Sequence, residues 1–427
     1  MKKLFTNFLK ASGPGLMLAS ASIGASHVVQ STRAGAEYGL ALIMIIVLAG
    51  ILKYPAFRAG PHYAIATGES LLTAYRRQGK FVLSLFIFII LSGIIVLQAA
   101  VTITAAALLE NLLRIPSNLL LSSGVLTAFC ILIVGMGRFR WLDIINKVLL
   151  LALCTATIFV SILIWAKIPW QTFTLIPDFS SFNVTDYLFM AALIGWMPTA
   201  VDAAVLNSMW TLAREKDTQY HPTLKESFLD FDIGYIGTII LAFFFVFLGA
   251  GAMFNGNIHF SHNSTAFVEQ FINLYTMQLG AWTRPFIDFC AFAVMFSTLL
   301  MIIDGFPRIL RGLMVIPFVP LNNDKLLKLS EHVPLAGKQY YMIAAGIAVV
   351  SIAFLAFMSQ SLVVMVDFAT GLSFVTAPFL AWFNYKALLS PRIPEHLRPS
   401  PAFMVYSGIC VVLLAVLALY YLWIRLV

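Results

Sequence analysis

Eleven apolar runs, each about long enough to cross a bilayer as a helix, divide this chain from one end to the other. A spanning α-helix needs about 20 mostly apolar residues. Runs of that kind fall at 13–33, 37–59, 81–109, 116–136, 142–166, 184–212, 231–254, 281–306, 340–358, 362–389 and 402–424. In hydrocarbon the backbone's polar groups must be satisfied internally, which here leaves helices as the spanning element. The chain therefore reads as an all-α membrane protein, a single transmembrane domain over 1–427. Composition agrees: 11% of the residues are charged, against about 25% in soluble domains.

The placement of charge sets orientation and removes other functions. A net charge of +8 would suit a nucleic-acid partner if it lay along one face, but the basic residues sit in short loops between apolar runs. With the N-terminus inside, 22 of the 27 lysines and arginines fall on the cytoplasmic side, Lys53 and Arg58 among them. The exceptions are Arg33, Arg114, Lys167, Arg284 and Arg425. This is the positive-inside pattern. It places the protein in a bacterial inner membrane with the C-terminus outside, and makes the lipid bilayer its only large partner. The opening Met-Lys-Lys-Leu-Phe reads as mature sequence, because Gly13-Pro14-Gly15 interrupts any signal-peptide core. Cys130, Cys154, Cys290 and Cys410 lie inside apolar segments without paired spacing and read as packing residues. The external stretches 167–183 and 255–280 are expected to cap the outer face, and the charged loops 213–230 and 308–338 to be partly helical. No zinc-protease, nucleophile-elbow or phosphate-loop motif is present, so nothing points to an enzyme. No cofactor is implied.

Two spans are interrupted at matching positions. The first holds Ile23-Gly24-Ala25-Ser26-His27, and the sixth holds Ile194-Gly195-Trp196-Met197-Pro198-Thr199. Pro198 removes a backbone donor and disfavours helix at Met197. These spans open two groups of five, 1–5 (13–166) and 6–10 (184–389), with an eleventh helix at 402–424. After an odd number of spans the second group enters from the opposite face. Matched broken helices in oppositely facing groups are the layout of an inverted-repeat transporter, whose substrate sits at the midplane between the breaks.

At these residues the chain resembles the Nramp family of divalent-metal transporters. Gly13-Pro14-Gly15, Ile23 to His27 and Ala34-Gly35-Ala36-Glu37-Tyr38-Gly39 are similar to that family's first helix. Met197-Pro198 is similar to its Met-Pro-His motif, and Arg138 to Lys147 to its fifth-helix entry. The resemblance implies a LeuT-type fold, alternating access, and a substrate site at Gly24, Ala25, Ser26, His27, Ile194, Gly195, Met197, Pro198 and Thr199, with Thr370 as a polar position in the tenth span. The family's metal chemistry does not carry over. Where the family has Asp-Pro-Gly-Asn, this chain has Gly24, Ala25, Ser26 and His27. The histidine after Met-Pro is Thr199, and Gln98 to Ala107 contains no carboxylate. Of the family's ligands only the Met197 thioether is present.

A bare Mn²⁺ or Fe²⁺ needs charged oxygen ligands to offset its lost hydration. The remaining groups are donors. Helix N–H groups near His27, the Ser26 and Thr199 hydroxyls, a ring nitrogen of His27, and Arg33 further along suit a small inorganic anion. Bicarbonate is the first candidate, with Na⁺ as the coupling ion. The alternative is a divalent cation, Mg²⁺ or Mn²⁺. His27 could instead be a packing residue bonded to a backbone carbonyl, and Arg33 a side chain reaching for the interface. Among intramembrane acids, which are functional by default, Asp202 is the candidate for coupling. Asp304 is either an ion site or a partner of Arg308 or Arg311, and Asp367 belongs to an external gate. Asp288 is expected to pair with Arg284. A monomer or weak oligomer is expected.

Overall fold

The structure is a computed structural model that describes residues 11–115, 118–135, 151–152, 154–254, 260–261, 263–323, 326–327, 337–358 and 362–426. Arg138 to Lys147, the fifth-helix entry, lie outside them. In chain order the helices are α1 (Pro14–Ser22), α2 (Thr32–Tyr38), α3 (Ile43–Thr67), α4 (Leu71–Arg77), α5 (Lys80–Leu113), α6 (Leu119–Gly135), α7 (Cys154–Leu163), α8 (Val184–Trp196), α9 (Ala203–Thr218), α10 (Leu224–Ala252), α11 (Ser264–Leu279), α12 (Arg284–Val315), α13 (Lys338–Phe357), α14 (Leu362–Leu388) and α15 (Pro401–Leu426). Seven segments among the described residues are long and apolar enough to cross a membrane: α3, α5, α10, Ala281–Phe318, α13, Val363–Leu388 and α15. The broken pairs α1–α2 and α8–α9, with α6 and α7, supply the other four of the eleven expected spans. The protein has two five-helix groups in the inverted-repeat arrangement and an eleventh helix.

Several boundaries differ from the sequence reading. The second span was expected at 37–59, but 37–38 complete the first span, a turn follows at Gly39, and α3 runs on through Pro55 and Pro61 to Thr67. The hydrophobic run hid this because Gly39, at φ 60°, turns the chain within apolar sequence. The external stretch 255–280 contains a helix, α11, which buries Phe267, Val268, Phe271, Ile272 and Tyr275. The loop 213–230 is partly helical, as expected: α9 extends to Thr218, and α10 begins after a capping box in which Thr223 and Glu226 satisfy each other's backbone N–H. A second capping box, Asn183 with Asp186, starts α8.

A proline inside a membrane helix leaves the carbonyl four residues earlier without its partner, and in lipid that carbonyl needs another donor. Pro55 frees the carbonyl of Ile51, which accepts from the Tyr406 hydroxyl of α15. Pro307 frees the carbonyl of Ile303, which accepts from the Tyr340 hydroxyl of α13 at 3.4 Å. In both places a neutral hydroxyl from a neighbouring helix closes the gap and ties two spans together.

Candidate functional site

The first-span break is a short interruption. Ile23 N–H donates to Ala19 O at 2.8 Å and Gly24 N–H to Ser22 O at 2.9 Å. The Gly24 carbonyl then accepts from the N–H groups of His27 (3.1 Å) and Val28 (2.9 Å). A widened turn over Ser26–Ser31 leads into α2. Gly24 is required by close approach: a Cβ there would lie 2.8 Å from Thr298 Oγ1 and 2.9 Å from its Cγ2.

His27 faces away from the space between the breaks. It is fully buried, and its Nε2 donates to the Thr238 carbonyl of α10 at 2.8 Å. Its Nδ1 lies 2.8 Å from Ser26 Oγ, and its ring meets the edge of Phe245. Both ring nitrogens are engaged in packing bonds. Of the two readings open in the sequence, the structure has the histidine bonded to a backbone carbonyl. Arg33 is engaged too. Its guanidinium bonds Asp367 Oδ1 at 2.8 Å, reaches Glu37 and Gln30 at 3.4 Å, and lies 4.8 Å from the centre of the Phe189 ring. Gln30 donates to the same Asp367 oxygen at 2.9 Å. This network joins the first span to the tenth.

At the sixth-span break α8 ends at Trp196, and Met197 (φ −90°, ψ 118°) turns the chain out of the helix. Met197 is buried, and its sulfur accepts from Ser31 Oγ at 3.6 Å. Ile194 is buried nearby, and a Cβ on Gly195 would lie 2.2 Å from the Thr370 carbonyl, so glycine lets α8 and α14 touch. The Thr370 hydroxyl is turned back to the Val366 carbonyl at 2.8 Å. Pro198 offers its carbonyl to Ser26 Oγ at 3.5 Å. Asp304 is held by Arg308 through two 2.8 Å bonds. The main partner of Arg284 is Glu269, with Asp288 at 3.7 Å.

Between the two breaks lies a cavity of about 50 Å³, large enough to hold water. Its polar lining comes from Ser22 and Ser26 of the first break, where Ala25 also faces it, Thr199, Asp202 and Trp210 of the sixth span, and Thr298 of α12. Thus Ala25, Ser26, Thr199 and Asp202 of the expected site line it. Gly24, His27, Ile194, Gly195, Met197, Pro198 and Thr370 pack around it, while Asp304, Asp367 and Arg33 stand in ion pairs. Sequence reasoning missed Ser22, Thr298 and Trp210, which carry no signal beyond their place in apolar helices. It also placed Lys53 at the cytoplasmic end of the second span. The structure corrects that: Lys53 sits mid-helix in α3, fully buried, and its Nζ donates to the carbonyls of Gly195 (2.7 Å) and Thr199 (3.1 Å). A lone lysine within an apolar run was the available signal. Among the described residues no three His, Cys, Asp or Glu side chains cluster as metal ligands.

Residues 15–424 match the family described as Natural resistance-associated macrophage protein-like. The chain belongs to the Nramp family. An uncharacterized protein of Pasteurella multocida (strain Pm70) is 31% identical over 382 residues, spanning 89% of this chain and 85% of that protein. Among solved structures, the manganese transporter of Eremococcus coleocola, in complex with an aromatic bis-isothiourea compound, superposes with a TM-score of 0.73 at 18% identity. It covers 98% of this Nramp chain and 87% of its own. The nucleobase-cation-symport-1 family transporter Mhp1, closed around bromovinylhydantoin, gives 0.60 at 13% identity, covering 98% and 94%. These likenesses establish the Nramp and LeuT-type fold. The protein is accordingly a transporter and not an enzyme.

Proposed function

We propose that this Nramp-family chain is a secondary transporter of a hard divalent cation that keeps part of its water, Mg²⁺ ahead of Mn²⁺. The observation that carries this reading is the lining of the cavity. Among the described residues Asp202 is its one carboxylate, and three of the four hydroxyls beside it, those of Ser22, Ser26 and Thr298, have already committed their protons. Ser22 Oγ donates to Leu18 O at 2.6 Å, the one proton of Ser26 Oγ is shared between Ser22 O at 2.5 Å and His27 Nδ1 at 2.8 Å, and that of Thr298 Oγ1 between Val294 O at 3.2 Å and Ser20 O at 3.3 Å. What these groups leave toward the cavity is oxygen lone pairs. Hard cations take oxygen ligands, and Mg²⁺ in particular keeps several waters and binds through one or two carboxylates. The thioether of Met197, which would favour a softer ion, is turned to Ser31. The donors on which an anion would depend, His27 and Arg33, are spent elsewhere.

One observation favours bicarbonate as a second reading. Trp210 lines the cavity, is 3% exposed, and its indole N–H has no partner among the described residues. The test is uptake by purified protein in liposomes, with Mg²⁺, Mn²⁺ and labelled bicarbonate run in parallel, with and without a Na⁺ gradient. Mg²⁺ uptake that falls at least tenfold in Asp202→Asn is the expected result. Bicarbonate uptake without metal flux, lost in Trp210→Phe, would replace the cation reading with the second one.

A further inference from the structure

The sixth-span break frees carbonyls at the C-terminal end of α8. In an unbroken helix the N–H of Thr199 would serve the carbonyl of Gly195, but the chain leaves the helix at Met197. The end of a half-helix carries partial negative charge, and such ends, with unwound carbonyls, are where transporters of this architecture hold a coupling cation. Here those oxygens already have a donor. The Lys53 amine reaches across from α3 and bonds both Gly195 O and Thr199 O.

A simple cap would not need a charge. At Ile51 and Ile303 the protein closes freed carbonyls with tyrosine hydroxyls, and burying an amine in the membrane core is far more costly than burying a hydroxyl. We propose that Lys53 is a tethered cation standing at the cation-binding position of the sixth-span break, so that no mobile Na⁺ is bound there. The lysine then serves as a specificity-determining residue: it keeps the break assembled in every buffer and reserves Asp202 for the transported species. The proposal does not depend on which ion is carried.

The experiment reads ion-specific stabilisation of the purified, full-length protein. Unfolding midpoints are measured in NaCl, LiCl and KCl against choline chloride at equal ionic strength. Wild type is expected to be indifferent to the cation. Lys53→Met opens the carbonyls and is expected to gain a saturable rise of about 2 °C or more with Na⁺ or Li⁺, whereas Lys53→Arg, which keeps the charge, stays indifferent. If Lys53→Met does not fold, Lys53→Gln is read in the same way, because its amide retains one donor. A folded Lys53→Met or Lys53→Gln protein without any cation-specific shift would reduce Lys53 to a structural cap. Saturable stabilisation of wild type by Na⁺ would overturn the proposal whatever the variants do. Neither reading requires transport, so failure here leaves the uptake experiment untouched.

Discussion

The two broken helices look equivalent in the sequence and are built differently in space. The first break is electrically neutral: its backbone is bonded within a few residues, its histidine is locked against α10, and its hydroxyls donate along their own helix. The sixth break holds the charge, with Lys53 on its carbonyls and Asp202 in the cavity. In the arrangement the resemblance implied, the first helix supplies charged ligands to the ion. Here the charged groups stand at the sixth span, and the first is a packed wall against α10 and α12. The difference teaches that a conserved architecture can exchange which of its two half-sites is charged without changing the backbone path.

The largest effect expected from attacking this comparison is on stability. His27→Ala removes a buried donor from the Thr238 carbonyl and leaves a void beside Phe245. Together these cost about 3 kcal/mol. Reversible unfolding should register that loss, while the ion concentration giving half-maximal uptake in the folded variant stays within twofold of wild type. A large rise in that concentration with unchanged stability would return His27 to the substrate site. The next effect concerns the lost ligand set. Gly24→Asp with His27→Asn restores two of the residue types expected of an Nramp first helix, but the new Cβ at position 24 collides with Thr298. The double variant is therefore expected to gain little Mn²⁺ affinity by calorimetry. Adding Thr298→Ala, which deletes the two nearest clashing atoms, should then raise affinity about tenfold, roughly 1.4 kcal/mol. Equal affinity in the double and triple variants would break the steric account.

Much of this was legible beforehand. Eleven apolar runs, Gly24 and Pro198 in matching spans, and the Arg308 spacing from Asp304 gave the fold, the breaks and one ion pair. Hydrophobicity and helix-breaking residues act locally, so the sequence carries them directly. The destinations of His27, Arg33 and Lys53 were not legible. Each depends on which face of a neighbouring helix lies opposite: α10 for His27, α14 for Arg33, and the unwound end of α8 for Lys53. A single sequence without internal pairing cues does not encode those faces in any short-range pattern. The positive-inside count was itself misleading at Lys53, because a basic residue in a membrane span is either near an end or paired inside, and a count cannot distinguish the two.

A smaller effect tests the link between the halves. Arg33 and Gln30 of the first span share one oxygen of Asp367 in the tenth. The carboxylate is 39% exposed, so the pair is screened and is worth about 1 kcal/mol or less. Asp367→Asn should therefore leave folding almost unchanged but loosen the contact between α2 and α14. A cysteine introduced by Thr370→Cys, fully buried behind this network, should react several-fold faster with a water-soluble thiol reagent in the Asp367→Asn background. Equal rates would mean that the network does not gate access to the breaks.

The smallest effect lies at the rim, away from both breaks, and serves as their control. Glu269 of α11 forms a two-pronged pair with Arg284 at the start of α12. The arginine's hydrogen bonds hold the carboxyl below its ordinary range. A carboxyl lowered in the folded state stabilises fully above its unfolded value and loses that contribution as pH falls through the folded one. Because Glu269 is 42% exposed, the contribution is about 1 kcal/mol or less. Glu269→Gln should lower the unfolding midpoint slightly near neutral pH and not at all in acid, with uptake kinetics unchanged. If transport falls as well, α11 couples to the breaks from a distance, and the contrast between a neutral first span and a charged sixth would have to include the rim helix.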